Sequence, residues 1–345
     1  MPASLTAAVV LLVALVAVAV LGPFALRAAK LRLATAPRAG AVVILLAGFA
    51  FSAAVVAVPP MLAWSVGGPS VIPGAAGRVC QQCLVAANPF SAQQPIPAGV
   101  PGAVFVGASV LLVAAIAVSV VREFLVQRSV CRRLPVRWRD HDGSSFTLDG
   151  VTVRVVEAPF VIAFSLPSGC GGVAVSRGAL EALNPSELRA VIAHEAAHVE
   201  RGHHRLATLA VGVSAPLRWI PFVAACRTAV LELLEIDADA RALRRVETST
   251  LVSALVTLQN AAAVHGEGAP EPVRASSALF VLGSARGGRK VTGRSTRIAS
   301  LLGTEGPQRV WSTARLAALI TPAAAMGAGV HVAGGVALLS GCAVL

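Results

Sequence analysis

The sequence predicts a multi-pass α-helical membrane protein with an α+β domain inserted between its third and fourth transmembrane helices. Three observations carry that expectation. Four runs, 1–26, 39–66, 79–121 and 316–345, contain no charged side chain, and each exceeds the roughly 18 apolar residues that mark a helix able to cross a bilayer. Basic residues gather at the ends of these runs rather than inside them. Between the third and fourth runs the pattern changes, from period-two alternation over 151–156 to a capped helical pattern from 184 onward.

Taken in order, the first three spans are expected at about 5–26, 41–64 and 103–122, within residues 1–126, with a loop at 67–102. Their glycines and prolines are tolerable because neighbouring helices in lipid can satisfy freed backbone groups. The first run does not read as a cleavable signal peptide, since no basic residue precedes it and its positive charges follow it. Arg27, Lys30, Arg32 and Arg38 come after the first run, and Arg122, Arg128, Arg132, Arg133, Arg137 and Arg139 after the third, whereas 67–102 holds only Arg78. Because basic flanks stay on the cytoplasmic side, the N-terminus is expected outside, 27–38 inside and the loop 67–102 outside. The domain at 127–312 is then cytoplasmic, and a fourth helix within 313–345 returns the C-terminus to the outside of the cell membrane.

This layout accounts for the net charge of +12. Arginines at membrane flanks are explained by attraction to anionic lipid, so lipid is an expected partner and direct nucleic-acid binding is not. The six cysteines form no zinc framework. Cys80 and Cys83 make a C-x-x-C in the external loop, where oxidising conditions would allow a local disulfide. Cys131, Cys170, Cys226 and Cys342 are isolated and read as packing residues.

Within the domain, "VTVRVV" (151–156), "FVIAFS" (160–165) and "GVAVS" (172–176) read as strands. A helix then starts at Asn184, an N-cap before Pro185 with Glu187 placed to close a capping box. It is expected to run through "SELRAVIAHEAAHVER" and stop near Gly202. The Gly-, Ser- and Arg-rich stretch 284–297, "SARGGRKVTGRSTR", reads as a basic loop.

Four of the seven histidines, His194, His198, His203 and His204, fall in "HEAAHVERGHH" on that helix. His194 and His198 are four residues apart, so they leave one face about 40° apart around the axis. Two imidazoles so placed can reach one zinc ion, and Glu195 beside them can act as general base toward a water molecule. A catalytic zinc needs a third protein ligand. His204 stands six residues after His198, as a metzincin's third histidine does, but Arg201 occupies the place of the required glycine. The only methionines, Met1, Met61 and Met326, supply no downstream Met-turn. The other candidate is in "LELLEIDADARA" (231–242), where Glu235 would complete a His-His-Glu site. Asp239, one turn on, would accept the free N–H of His194 and fix its tautomer. The bland reading of the same helix is an acidic face with Glu232 and Asp237 merely solvated, and the pairing of E-x-x-x-D with HEAAH argues against it. His203, His204 or Arg241 could steady an oxyanion or contact substrate, and spacing does not choose among them. One constraint follows: if the apolar stretch 206–226 crossed the bilayer once, Glu235 would lie on the opposite side from His194, so the stretch is expected to be a bent hairpin packed on the membrane face.

H-E-x-x-H followed by E-x-x-x-D resembles the gluzincin pattern, and the helices on both sides resemble those of the BlaR/MecR-type membrane metallopeptidases. More distantly the chain is similar to HtpX and the CAAX prenyl proteases. The run "IAFSLPSGCGGVAVSRGALEALNPSELRAVIAHEAAHVERGH" resembles the family's path from an A-F strand through a V-x-S/T-x-G-A-L segment into the zinc helix. The likeness is specific over about 145–245 and loose elsewhere. It implies an α+β gluzincin-type zinc metallopeptidase domain holding one zinc ion per chain. His194, His198 and Glu235 would be ligands, Glu195 the general base and Asp239 the orienting carboxylate. BlaR/MecR sensors carry an external penicillin-binding domain after the last helix, and these 345 residues are expected to lack it.

The resemblance implies a membrane-embedded zinc endopeptidase acting on protein at the cytoplasmic face. A substrate strand would add to an exposed edge, either "FVIAFS" or "GVAVS". The substrate would be a winged-helix transcriptional repressor or the chain's own 284–297 segment. HtpX-like quality control of membrane proteins is the runner-up, and a non-catalytic transducer with structural zinc is the contrasting class. An intact Glu195 argues against the last, since a structural site needs no base there.

Overall fold

The computed structural model describes residues 3–67, 102–139, 145–167, 169 and 172–265. The expected Cys80–Cys83 loop, the basic segment 284–297 and the fourth span within 313–345 lie outside these residues. Three long helices come first: α1 (Ala3–Leu33), α2 (Pro37–Gly67) and α3 (Gly102–Arg139). Their stretches Val9–Lys30, Pro37–Pro60 and Val104–Ser129 are long and apolar enough to cross a membrane. All three helices overrun the spans expected from charge-free runs. α2 is the most enclosed, with a third of its apolar window buried, while α1 and α3 turn valine, leucine and phenylalanine outward. That is the distribution expected where lipid, not water, is the solvent for the outer face.

A four-stranded sheet follows, made of β1 (Ser145–Leu148), β2 (Val151–Val156), β3 (Ala163–Ser165) and β4 (Val173–Ser176) in the order β1-β2-β4-β3. The central pair β2–β4 is parallel, and both outer pairs are antiparallel. Of the two segments expected as exposed edges, only β3 stands at an edge in the strand order of the described residues, and its Phe164 and Ser165 are buried. β4 is flanked on both sides and buried along its length, as its uninterrupted "VAVS" requires. β3 is shorter than the expected 160–165 because Ser176 takes over the pairing. Its hydroxyl donates to the Phe160 carbonyl at 2.7 Å and accepts from the Ile162 amide at 3.0 Å. The same oxygen caps the short helix α4 (Arg177–Ala182) by accepting from the Ala179 amide.

Helix α5 (Pro185–Arg201) begins as its sequence dictates. The Asn184 side chain accepts from the Ser186 and Glu187 amides, and Glu187 closes the box on the Asn184 amide. Glu187 also accepts from Ser253 and Thr257 on α8 (Thr248–His265), tying the last described helix to the start of α5. The Ser253 hydroxyl contributes most to holding the Glu187 carboxyl below its ordinary range, against the opposing effect of burial. A depressed folded pKa means stability that is present above the unfolded value and is lost as pH falls through the folded value. An acid melt of the wild type is therefore expected to hold α8 docking until the pH has fallen below the ordinary carboxylate range and then to lose it, and Glu187→Gln should flatten the acid limb. Circular dichroism against pH for the two proteins checks this.

α5 stops at Gly202, whose φ of 65° is the left-handed conformation that closes a helix at least cost with glycine. The chain leaves at once into α6 (His203–Ser214), passes a 3-10 turn at Ala215–Leu217, and returns as α7 (Pro221–Ala242). The apolar stretch 206–226 is thus a bent hairpin, and it packs among the long helices. Phe222 meets Phe51 edge to face, with ring centroids 5.2 Å apart. Small residues set the close approaches: a Cβ at Gly212 would come within 2.8 Å of the Val120 Cα, and Gly48 lies against Cys226. Where apolar solvent gives no driving force between helices, such backbone proximity lets dispersion hold them. Lys30 on α1 pairs with Glu232 on α7. The antiparallel return brings α7 alongside α5 and carries the acidic cluster back to the histidines.

Candidate metal centre

α5 and α7 bring His194, His198 and Glu235 together, with one potential ligand atom from each inside a sphere of contacts no longer than 4.8 Å. The two Nε2 atoms lie 3.1 Å apart. Glu235 places Oε2 3.7 Å from His194 Nε2 and Oε1 3.6 Å from His198 Nε2. Ligands about 2.0–2.1 Å from a tetrahedral zinc stand about 3.3 Å from one another. The donor atoms therefore already have the mutual spacing that such an ion imposes.

The partners on the far side of each ring decide what faces inward. His194 Nδ1 lies 2.9 Å from Asp239 Oδ1. A carboxylate that close tolerates only an N–H, which leaves the lone pair of His194 on Nε2. His203 Nε2 likewise faces Asp237 Oδ2 at 2.9 Å and must carry the proton there. With one ring proton of His203 on Nε2, its Nδ1 can accept from His198 Nδ1–H across 2.9 Å. The lone pair of His198 is thereby also on Nε2. Two lone pairs 3.1 Å apart beside a carboxylate repel, and only a positive charge between them makes the arrangement favourable. The residues present fit a zinc ion.

His194 and His198 are buried, as are Asp237 and Asp239, so these interactions act in low dielectric. Burial alone would raise the Asp237 carboxyl, but hydrogen bonds from His203 and Arg201, and the charge of Arg201, hold it below its ordinary range. Glu195 differs from these groups. It is half-buried next to the ligand face, and among the described residues no hydrogen bond or ion pair ties its carboxylate. It is free to turn toward a reacting water.

Three residues were expected as oxyanion or substrate contacts, and the structure distributes them. His203 is fully buried with both ring nitrogens engaged by His198 and Asp237, so it stands behind the donor set instead of over it. That departs from the expected oxyanion or substrate contact for His203, which the left-handed Gly202 turn places at the start of α6. Asp237 is a residue to which sequence reasoning gave no role, and His203 is one to which it gave a different role. The signal for both was a histidine just past a helix-ending glycine together with a third carboxylate between Glu235 and Asp239. His204 is buried, and burial first, then the neighbouring His203, pushes its imidazole down to about 4. It is therefore neutral near pH 7. Arg241 is half-exposed and lies 3.6 Å from Glu200 on α5.

No curated protein and no solved structure matches the chain. The family match that was found begins at the end of α3 and spans the sheet, the hairpin and every residue of the donor set. Residues 139–264 match the model of peptidase family M48, so behind its three apolar helices the chain carries a domain of the zinc-metallopeptidase type.

Proposed function

We propose that this chain is a membrane-embedded zinc endopeptidase with its site at the cytoplasmic face, and that it regulates transcription by cleaving a cytosolic repressor. The observation that carries the catalytic part is the pairing of two inward lone pairs and a carboxylate with an untied Glu195. His194, His198 and Glu235 would hold the ion, which when bound supplies Lewis acidity toward a carbonyl and lowers the pKa of a nearby water. Glu195 takes the proton of the attacking water and returns it to the leaving nitrogen. Asp239 holds His194 in the tautomer that keeps Nε2 bare. β3, last in the strand order among the described residues, would be the strand alongside which an extended substrate adds by main-chain hydrogen bonds. His204, neutral near pH 7, can donate to a developing oxyanion only as an uncharged imidazole.

The cytoplasmic placement follows from basic residues after α1 and along the second half of α3. Reporters fused after Thr35 and Gly143 are expected to read cytoplasmic, and one near Gln93 external. An external reading at Gly143 would remove the repressor from reach. Within cells, comparison of new protein N-termini between wild type and Glu195→Gln tests the substrate. One or a few soluble regulators cut at a defined bond is the expected result. A broad set of membrane-protein fragments with no repressor fragment would establish the quality-control reading instead.

A further inference from the structure

His203 and Asp237 are both buried and mutually aligned behind one donor. His203 is the first residue of α6 and is fully enclosed. Its Nε2 is 2.9 Å from Asp237 Oδ2, and its Nδ1 is 2.9 Å from His198 Nδ1. Arg201, the last residue of α5, donates from Nε to the same Asp237 oxygen at 3.1 Å. The chain thus brings three consecutive elements, the end of α5, the start of α6 and the middle of α7, onto one hydrogen-bonded line that ends at His198.

We propose that Asp237 and His203 form a single positioning unit that fixes the tautomer and orientation of His198 and strengthens it as a metal donor. The proposal rests on the reading of the His194–His198–Glu235 cluster as a zinc site. His194 meets its orienting carboxylate directly, through Asp239. His198 cannot, because α7 presents Asp239 to His194, and the next inward carboxylate, Asp237, faces the flank where α6 begins. The imidazole of His203 fills that gap and relays the acceptor: Asp237 fixes the proton on His203 Nε2, which bares His203 Nδ1, which in turn fixes the proton on His198 Nδ1. Arg201 keeps Asp237 oriented at the far end by donating from Nε to Oδ2 at 3.1 Å. A buried histidine serving only as packing would not need both nitrogens aligned between a ligand and a carboxylate.

The test uses the full chain in detergent, with zinc affinity measured by chelator competition. The variants are His203→Phe, which fills the space without nitrogen, Asp237→Asn, which is nearly isosteric, and the double variant. Removal of such supporting partners typically weakens metal binding about 10–100-fold, and His203→Phe is expected in that range. Asp237→Asn should weaken binding by at least several-fold, and the double variant no further than His203→Phe, because the two groups act through one path. A loss of less than about twofold in Asp237→Asn, or losses that simply multiply in the double variant, would overturn the positioning unit. If His203→Phe does not fold, Asp237→Asn decides alone by the same threshold. A wild type that binds no zinc would overturn the metal-site reading itself, a result distinct from zinc-binding variants with unchanged affinity.

Discussion

Glu195→Gln should abolish cleavage while leaving the metal in place. General acid–base groups contribute about 10²–10⁴-fold, and the loss is expected at the upper end, because among the described residues no other carboxylate beside the donor cluster is untied. Glutamine keeps the size of the side chain and removes only its ability to take a proton. Folding and zinc content should therefore be those of the wild type. Cleavage of an unfolded protein by the purified chain, read beside metal analysis of the same samples, checks both halves. Full activity with glutamine would leave proton transfer to some other group and end the assignment.

Glu235→Ala should empty the site, although it lies far from the histidine motif in sequence. Deleting one of three protein ligands leaves two imidazoles whose lone pairs, 3.1 Å apart, hold an ion poorly. His194→Ala and His198→Ala should do the same, whereas His204→Ala, outside the donor cluster, should keep the metal. One zinc per wild-type chain and none in these three variants is the expected stoichiometry by elemental analysis. Zinc lost from His204→Ala but kept in Glu235→Ala would reverse the choice of third ligand.

Much of this was legible in residues 184–202, where local rules agree. Asn184, Pro185 and Glu187 start α5, and Gly202 ends it. The four-residue spacing of His194 and His198 needs nothing beyond helical geometry to share a face. The bend of 206–226 could also be inferred, since a single crossing would part Glu235 from the histidines. What the sequence could not convey was which flank of α7 the hairpin would take. That choice is tertiary, set by the packing of Gly212, Phe222 and Cys226 against the long helices. It decides that His203 and Asp237 meet behind His198, which spacing alone did not convey. The strands were legible as elements, but their order was not: nothing local says that β4 lies inside the sheet and β3 at its edge.

The hairpin connection has a consequence for how the domain tolerates change. The donors are joined by roughly 40 residues of chain, and lengthening such a loop is thermodynamically cheap, about 0.6 kcal/mol for a doubling. Length in the Arg218–Trp219 turn, where Trp219 is exposed, is therefore close to free. Angle is not. A single residue inserted in α7 between Val230 and Glu235 would rotate the carboxylate about 100° around the helix axis relative to the buried face. It would carry Asp237 and Asp239 round with it. The centre is insensitive to how far the chain travels between its two halves and depends instead on the helical phase at which it returns.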